Sequence, residues 1–268
     1  MAVAAMTARD ALGAAIDALG AAGCETPRLD AELLIADALG VDRGALVADP
    51  GMEVPPPAAR EIGERVRRRV AREPVAYVLG RRGFRRIELA VDNRVLIPRP
   101  ETELLVELAL ELSQGSRVHD VGTGSGAIAL ALLHERPDLR VTASDVSQDA
   151  VSVARSNAAA LGLELEVSVM PGLPDGDYDL VVANLPYVTE DEWSGLQREI
   201  REHEPRGALV SGADGLDAIR ELVAQASGLR LALEHAPAQA EAVRELLRSA
   251  ETHADLAGRA RVTVGVAP

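Results

Sequence analysis

The sequence contains no lysine and only one cysteine. A single thiol excludes a disulfide within the chain, so we expect Cys24 to be a buried structural residue in a reducing compartment. The 28 basic residues are all arginines and stand against 42 acidic residues, which leaves a formal net charge of −14. Because phosphate contacts need clustered basic side chains, this balance argues against tight binding to nucleic acid.

Signals for export, membrane insertion and metal binding are also missing. The Ala-rich start, residues 1–23, is interrupted by Arg9, Asp10 and Asp17, and therefore lacks both the uncharged core of a signal peptide and a membrane span. The histidines and the cysteine do not cluster with the spacing of metal ligands. We expect a soluble, cytoplasmic protein that is monomeric, contacts no membrane and needs no metal.

The first part of the chain is predicted to be a small helical domain. A chain of 268 residues with 47% hydrophobic content is long enough for two domains. Thr7 and Asp10 resemble a variant capping box, and apolar residues recur at helical spacing after them. The same spacing recurs over residues 30–39 and about 57–72, so we place this domain at residues 1–79.

The remainder is predicted to be a linker followed by a sheet. Apolar residues alternate with a period of two over residues 80–98 around the turn Asp92-Asn93, which predicts a β-hairpin linker. From residue 99 to 268, strand-like apolar runs alternate with helical periods, the last helix being expected over residues 238–250. Such alternation predicts an α/β domain with a mostly parallel, doubly wound sheet.

A glycine-rich turn joins the first strand of this sheet to a helix. Gly122, Gly124 and Gly126 follow the apolar strand that ends at Val121, so the backbone can turn tightly and approach a ligand at the start of the helix. The spacing Gly-x-Gly-x-Gly favours S-adenosylmethionine as the cofactor. A nicotinamide dinucleotide remains the alternative, because Ala127 stands where that pattern tolerates alanine.

Polar residues near the turn are candidates for cofactor contacts. Thr123 lies within the turn, and Asp145 closes the next strand, where its carboxylate can accept both ribose hydroxyls or, alternatively, cap the helix that begins near Gln148. Asp120, inside the strand before the turn, either organises the loop or faces the cationic end of the cofactor. We therefore predict a cofactor site at the ends of these two strands.

The tetrapeptide Asn184-Leu185-Pro186-Tyr187 ends a buried apolar strand and indicates the chemistry. The side-chain oxygen of Asn184 and the backbone carbonyl of Leu185 can accept the two hydrogens of a planar NH₂ group and leave its lone pair aimed at a methyl group. Pro186 stiffens the turn, and Tyr187 can stack on the planar group. No general base is required, since an amide nitrogen that has gained a methyl loses its proton readily. The tetrapeptide thus predicts methyl transfer to a planar nitrogen.

These motifs resemble those of the HemK-like glutamine methyltransferases, which modify peptide chain release factors. The resemblance spans most of the chain and is most specific in the run from Ile97 to Glu103, Ile-Pro-Arg-Pro-Glu-Thr-Glu. It also includes residues 73–80, 204–209 and 233–235. The resemblance implies an all-helical N-terminal domain and a Rossmann-like class I methyltransferase sheet of seven strands with the last one antiparallel.

The resemblance also implies a substrate and site contacts. The acceptor would be the side-chain amide of the glutamine in a Gly-Gly-Gln loop of a release factor, held by Asn184 to Tyr187. Gly122, Gly124, Asp145 and Asn184 would contact S-adenosylmethionine. Arg99, inside the specific run, is a candidate for shaping the cofactor or substrate pocket.

Three departures from the family pattern keep other functions open. Leu185 stands where the family usually has proline. The form with leucine also resembles the adenine dimethylases of ribosomal RNA. The loop at residues 170–174 lacks the acidic residue commonly found beside the adenine, and the usual glycine is missing after His235. The alternatives are therefore a paralogue that methylates an RNA base or a small metabolite, and a catalytically inactive cofactor-binding partner protein.

Ten arginines lie between Arg60 and Arg86. They are candidates for contact with an acidic partner or RNA, although the simpler interpretation is the solvated face of a helix and a hairpin. His203 and His235 are expected to be structural, since the proposed chemistry needs no base.

Overall fold

The computed structural model describes residues 6–268, which divide into two compact units. The first unit comprises the chain up to Gly80 together with Gln197–His203, and the second comprises Arg81–Leu196 and Glu204–Pro268. The first five residues of the predicted helical domain lie outside the described part of the chain. No local signal in the sequence indicated that the segment Gln197–His203 belongs to the first unit.

Helices form the first part of the chain, and strands begin at Arg81. The helices are α1 (Ala8–Ala21), α2 (Pro27–Leu39), α3 (Arg43–Ala48), α4 (Pro56–Val70), α5 (Val75–Leu79), α6 (Glu103–Leu110), α7 (Ala127–Glu135), α8 (Gln148–Leu161), α9 (Glu190–Trp193), α10 (Arg198–His203), α11 (Asp217–Gln225) and α12 (Ala240–Glu245). The strands are β1 (Arg81–Phe84), β2 (Ile87–Ala90), β3 (Arg117–Val121), β4 (Arg140–Asp145), β5 (Glu166–Val169), β6 (Leu180–Ala183), β7 (Arg230–Glu234), β8 (Arg248–Ala254) and β9 (Ala260–Val266). The longest helix in residues 6–268 has 15 residues, and none combines the length and apolar character that crossing a membrane requires.

The first unit consists of helices around an apolar core. The predicted capping box of α1 is present: Asp10 N donates to Thr7 Oγ1 at 3.2 Å, and Thr7 N donates to Asp10 Oδ2 at 3.1 Å. Leu19 on α1 and Ile35 on α2 are fully buried. The predicted helices correspond to α1, α2 and α4. The short helices α3 and α5 escaped prediction because one or two turns show no clear period.

Four charged side chains form a buried network in the first unit. Arg69 donates to Asp30 at 2.7 Å and to Glu199 at 2.8 Å, and Arg72 donates to Glu199 at 2.7 Å. None of these side chains is more than 10% exposed. The solvated-face interpretation is therefore wrong for Arg69 and Arg72. Cys24 is buried beside them, as expected, and burial raises its pKa.

The hairpin belongs to the second unit, and its turn differs from the prediction. β1 and β2 pair in register from Arg81 to Ala90, so the turn lies at Arg85-Arg86 and not at Asp92-Asn93. Arg85 has a φ of 49°. Its backbone N–H donates to a Glu103 carboxylate oxygen at 3.1 Å, a contact from outside the hairpin that a local reading of the sequence does not contain.

Seven strands of the second unit form one sheet in the order β5-β4-β3-β6-β7-β9-β8. β9, the last strand of the sheet in chain order, is antiparallel to its neighbours β7 and β8, and the pairs among β5, β4, β3, β6 and β7 are parallel. Val182 on β6 packs into one apolar cluster, and Val181 and Ala183 pack into another, as alternating strand side chains do. The predicted fold class is confirmed.

The prediction of one helix over residues 238–250 is wrong. α12 ends at Glu245, and the chain continues into β8 at the edge of the sheet. The sequence of β8, Arg-Ser-Ala-Glu-Thr-His-Ala, has no apolar alternation, and its pairing with β9 is irregular between Arg248 and Glu251. An edge strand is specified by its neighbour more than by its own pattern, which explains why the sequence did not reveal it.

Candidate functional site

The predicted site residues lie where the strand order of the sheet reverses. β3 has β4 on one side and β6 on the other, although β6 comes later in the chain. The glycine turn follows β3, Asp145 ends β4, and Asn184 follows β6. Ligands of such sheets bind in the crevice beyond these strand ends. The structure therefore places the predicted cofactor residues and the tetrapeptide at the same edge.

The backbone of the glycine turn requires glycine at three positions. Gly122, Gly124 and Gly126 have φ angles of 72°, 57° and 85°, a region that side chains disfavour. A Cβ on Gly122 would stand 3.0 Å from Leu185 Cδ2, and one on Gly126 would stand 2.8 Å from Leu130 Cδ1. A Cβ on Gly124 would meet no atom of the protein within 4 Å. The side of the turn at Gly124 is therefore open to a ligand.

Asp120 and Thr123 organise this turn. Asp120 is fully buried, and its Oδ2 accepts hydrogen bonds from Thr123 Oγ1 at 2.6 Å and from the backbone N–H of Ala129 at 3.3 Å. Burial raises the pKa of Asp120 to about 7. Its other oxygen, Oδ1, has no hydrogen-bond partner among residues 6–268. The two predicted roles of Asp120 are thus compatible, since one oxygen holds the loop and the other is unpaired.

Asp145 is connected to the same turn. Its Oδ2 accepts from the backbone N–H of Gly124 at 2.9 Å, and its Oδ1 accepts from Ser147 N at 2.8 Å. Ser147, whose hydroxyl accepts from Ala150 N at 3.2 Å, is the N-cap of α8. The alternative interpretation of Asp145 as the helix cap is therefore wrong.

Asn184 presents a free acceptor. Its Nδ2 donates to Thr102 Oγ1 at 2.9 Å, and no residue in the described part of the chain donates to its Oδ1. The carbonyl oxygen of Leu185 likewise accepts no hydrogen bond from the described residues. Because both groups lie beyond the end of β6, the pair of acceptors that the sequence predicted is available to a ligand.

Tyr187 is held from two sides. Its hydroxyl donates to Glu234 Oε1 at 3.2 Å, and its carbonyl oxygen accepts from Gln239 Nε2 at 2.9 Å. Burial raises its pKa well above the ordinary range, so the hydroxyl stays protonated. A Cβ on Gly215 would stand 2.2 Å from the backbone carbonyl oxygen of Tyr187, so only glycine fits at position 215. The predicted stacking of the Tyr187 ring on a substrate stays a prediction.

Arg99 is held by a buried carboxylate. Its Nη2 donates to Glu204 Oε1 at 2.5 Å, while Glu204 Oε2 accepts from the backbone N–H of Ile97 at 3.1 Å. The Arg99 side chain is 30% exposed, whereas that of Glu204 is 1% exposed. Burial raises the pKa of Tyr187, and the positive charge of Arg99 partly opposes this rise.

The short loop after β5 is anchored despite its lack of an acidic residue. Met170 N donates to the Asp145 carbonyl at 3.0 Å, and Ser144 Oγ donates to the Gly172 carbonyl at 2.8 Å. Val146, directly after Asp145, is 74% exposed. An apolar side chain is therefore exposed beside the predicted cofactor residues.

The structure adds Thr102 and Glu234, to which sequence reasoning assigned no role. Thr102 belongs to the specific run and lies in the short 3₁₀ turn Pro100–Thr102 before α6. Glu234 ends β7, is fully buried, and has a pKa that burial raises to about 7. The sequence feature that could have identified Glu234 is a carboxylate at the end of an apolar strand. His235, by contrast, is buried, and its Nε2 lies 2.8 Å from Thr263 Oγ1; its structural role stays a prediction.

Comparison with known proteins gives consistent matches for both units. The model of the PrmC N-terminal domain matches residues 10–80, and that of the methyltransferase small domain matches residues 100–204. The chain is 40% identical over 272 residues to the release factor glutamine methyltransferase of Caulobacter vibrioides, covering 94% of both chains. It is 41% identical to those of Moorella thermoacetica and Deinococcus radiodurans, covering 96% of this chain and 97% of each relative.

Among solved structures, the chain is similar to the hMettl16 catalytic domain in complex with the MAT2A 3′UTR hairpin 6. The TM-score is 0.53 at 14% identity, covering 67% of this chain and 76% of that chain. At this identity the similarity supports the methyltransferase fold alone.

Proposed function

This chain belongs to the family of release factor glutamine methyltransferases, and from this premise we propose that its site methylates the side-chain amide of the glutamine in the Gly-Gly-Gln loop of a peptide chain release factor. The methyl donor is S-adenosylmethionine. The enzyme is thus a protein-glutamine N-methyltransferase. Its cytoplasmic location, its monomeric state and its weak affinity for nucleic acid remain predictions of the sequence.

One observation carries the assignment of the acceptor site. Asn184 Oδ1 and the Leu185 carbonyl are two acceptors without a partner in the described structure, placed where β6 ends beside the glycine turn. A glutamine NH₂ group has two hydrogens and needs both acceptors to be held in one orientation. The pair therefore matches a primary amide, and replacing proline by Leu185 leaves the backbone acceptor in place.

The residues at the glycine turn fit S-adenosylmethionine. The open side of Gly124 admits a ligand close to the backbone, and the unpaired Asp120 Oδ1 suits its cationic amino group. We infer that Asp145 accepts from the ribose hydroxyls and that the exposed Val146 side chain covers part of the adenine. The remaining inferred contacts are Gly122, Thr123, Gly126, Asn184 and Arg99. When bound, S-adenosylmethionine supplies an electrophilic methyl group.

The chain itself contributes positioning. Asn184 and Leu185 accept the two N–H groups of the glutamine, so that the nitrogen lone pair points away from both acceptors. Pro186 restricts the backbone between these acceptors and Tyr187. The nitrogen becomes strongly acidic when it gains a methyl, so its proton passes to water and the site needs no base. Orientation of this kind lowers a barrier by up to roughly 7–11 kcal/mol.

Mass spectrometry tests the function directly. A purified release factor is incubated with this enzyme and S-adenosylmethionine, and the Gly-Gly-Gln peptide is examined for one added methyl on the glutamine. A release factor with alanine in place of that glutamine is the matched control and should stay unmodified. Cofactor binding by calorimetry without any methylated peptide would contradict the release factor as acceptor and favour another planar nitrogen.

Asp145→Ala should chiefly weaken cofactor binding. The variant loses a carboxylate that we infer accepts from ribose and that also holds Gly124 N. Hydrogen bonds to a charged group contribute about 1.5–3 kcal/mol, so the dissociation constant should rise roughly 10- to 100-fold. Asp149→Ala, which removes an exposed carboxylate on the neighbouring helix α8, is the control and should bind normally. An unaltered dissociation constant for Asp145→Ala, measured by calorimetry, would count against the ribose contact.

A further inference from the structure

Gln239 contacts the tetrapeptide and has no part in the function as proposed so far. Its side-chain Nε2 donates to the carbonyl oxygens of Tyr187 and Asp214, each at 2.9 Å, and its Oε1 accepts from the backbone N–H of Ala236 at 2.9 Å. A primary amide has two hydrogens to donate, and here each has its own acceptor. A reversed amide would oppose its oxygen to two carbonyls, so these contacts fix the orientation of the Gln239 side chain.

The segment after His235, where the family's usual glycine is missing, is suited to place this side chain. Ala236 has a φ of −66° and a ψ of 148°, an extended conformation that alanine adopts without strain. Pro237 then begins the 3₁₀ turn Pro237–Gln239 with the φ that its ring fixes. The turn brings Gln239 back beside Ala236, where Gln239 N donates to the Ala236 carbonyl at 2.9 Å. The departure from the family pattern at Ala236 therefore leaves the Gln239 contacts intact.

The peptide group between Tyr187 and Val188 is held at both of its polar atoms. Gln239 donates to the Tyr187 carbonyl oxygen, and Val188 N donates to the Leu209 carbonyl at 2.8 Å. Because a peptide group is planar, hydrogen bonds at both of these atoms leave it little freedom to rotate. The Tyr187 hydroxyl has its own partner in Glu234, at 3.2 Å. Tyr187 is thus held at both its main chain and its side chain.

Holding Tyr187 limits the directions in which the Leu185 carbonyl can point. Only Pro186 lies between these two residues, and the proline ring fixes its φ. On the other side of Leu185, Asn184 directly follows the end of β6. The proposed acceptor pair, Asn184 Oδ1 and the Leu185 carbonyl, therefore lies between a strand end and a residue that Gln239 holds.

Gly215 leaves the space that the Gln239 amide needs. Its φ is 76°, and a Cβ there would collide with both the Tyr187 carbonyl oxygen and Gln239 Nε2. Its neighbour Asp214 supplies the second carbonyl that Nε2 binds. Tyr187, Asp214 and Gln239 come from the segments after β6, before α11 and after β7. One side-chain amide thus connects three separate segments of the second unit.

We propose that Gln239 is a positioning residue, whose hydrogen bond to the Tyr187 carbonyl keeps the Leu185 carbonyl aligned with Asn184 Oδ1. This inference rests on the proposed function, because the alignment of the two acceptors matters when one planar NH₂ group binds both. Gln239 acts through the backbone rather than by contact with the substrate. It therefore affects the rate of methyl transfer more than the binding of S-adenosylmethionine.

Two variants at position 239 separate the donated hydrogen bonds from the accepted one. Gln239→Leu removes both kinds, whereas Gln239→Glu keeps an acceptor for Ala236 N and opposes the two carbonyls with a second oxygen. Each should lower kcat on a release factor roughly 10- to 100-fold and leave the S-adenosylmethionine dissociation constant within about threefold of wild type. Gln114→Leu, at an exposed glutamine in the turn before β3, is the matched control and should retain wild-type kcat. Wild-type kcat in Gln239→Glu would overturn the proposal.

A double variant distinguishes positioning from a general loss of structure. In Asn184→Ala one of the two acceptors is already missing, so nothing remains for Gln239 to align. Adding Gln239→Leu to Asn184→Ala should therefore lower kcat no more than about threefold further. A merely structural role would make the two effects multiply, and that result would overturn the proposal.

Hydrogen exchange measured by mass spectrometry provides a readout that needs no substrate. In both variants at position 239, the peptide that contains Leu185 to Val188 should exchange at least about threefold faster than in wild type, because the Tyr187 carbonyl has lost its donor. The same peptide should be unchanged in Gln114→Leu. Unchanged exchange of this peptide in Gln239→Leu, or faster exchange across the whole second unit, would overturn the positioning role whatever the acceptor. Wild-type enzyme that fails to methylate a release factor would contradict the proposed function instead.

Discussion

Asn184→Ala should lower turnover at least about 100-fold and change the S-adenosylmethionine dissociation constant by less than about tenfold. The structure gives the reason, since Asn184 Oδ1 is one of only two acceptors proposed to hold the glutamine NH₂ group. Without it the amide can rotate about its remaining hydrogen bond, and the lone pair is no longer held in line. Cofactor binding loses at most one hydrogen bond, worth about 0.5–1.5 kcal/mol.

The measurement is steady-state methylation of a release factor, with calorimetry for the cofactor. Asn93→Ala is the matched control, because Asn93 is exposed and lies outside the predicted site. Turnover of Asn184→Ala near the wild-type value would remove Asn184 from the mechanism. A loss of cofactor affinity as large as the loss of turnover would instead assign Asn184 mainly to the cofactor site.

Glu199→Ala should destabilise the first unit by about 3–5 kcal/mol. Glu199 accepts from both Arg69 and Arg72, and all three side chains are buried. Burial raises the pKa of Glu199, but its backbone hydrogen bond and the two arginines outweigh this effect and lower it, so the carboxylate is ionised. Removing the Glu199 carboxylate leaves the Arg72 guanidinium without its buried carboxylate partner and leaves Arg69 with Asp30 alone.

Hydrogen exchange measured by mass spectrometry can localise the effect. Peptides from α2 and α4 should exchange faster in Glu199→Ala, and the midpoint of urea unfolding for the first unit should fall. Glu202→Ala on the same helix is the matched control, since Glu202 pairs with Arg198 at the surface and such pairs contribute little. Equal exchange in the two variants would contradict a structural role for the buried network.

Local sequence was sufficient to predict those parts of the site that are contiguous in the chain. The three glycines, Asp145 and the tetrapeptide each follow an apolar strand, and strands of a doubly wound sheet end at one edge. The alternation of periods therefore predicted both the sheet and the edge at which these residues meet. The resemblance to the glutamine methyltransferases, stated on the same motifs, is confirmed by full-length relatives.

Contacts between residues that are far apart in the chain could not be predicted from the sequence. Thr102 and Asn184 are separated by 82 positions in the chain, and Arg99 and Glu204 by 105. The predictions for the hairpin turn and for the segment that forms β8 were wrong for the same reason. Contacts with Glu103 and with β9, which lie outside these segments, support the turn at Arg85 and the edge strand.

Short segments of the chain were enough to predict the fold class, which is confirmed, and to propose the cofactor turn and the acceptor pair at Asn184, because hydrophobic period, glycine conformation and side-chain chemistry are local properties. The buried carboxylates and their partners became apparent only in the folded protein: Glu234 bonds to Tyr187, Glu204 to Arg99, and Glu199 to two arginines. Burial is set by all the elements that surround a side chain, and the ionisation and hydrogen bonding of a carboxylate follow from burial. A segment read alone does not contain that information.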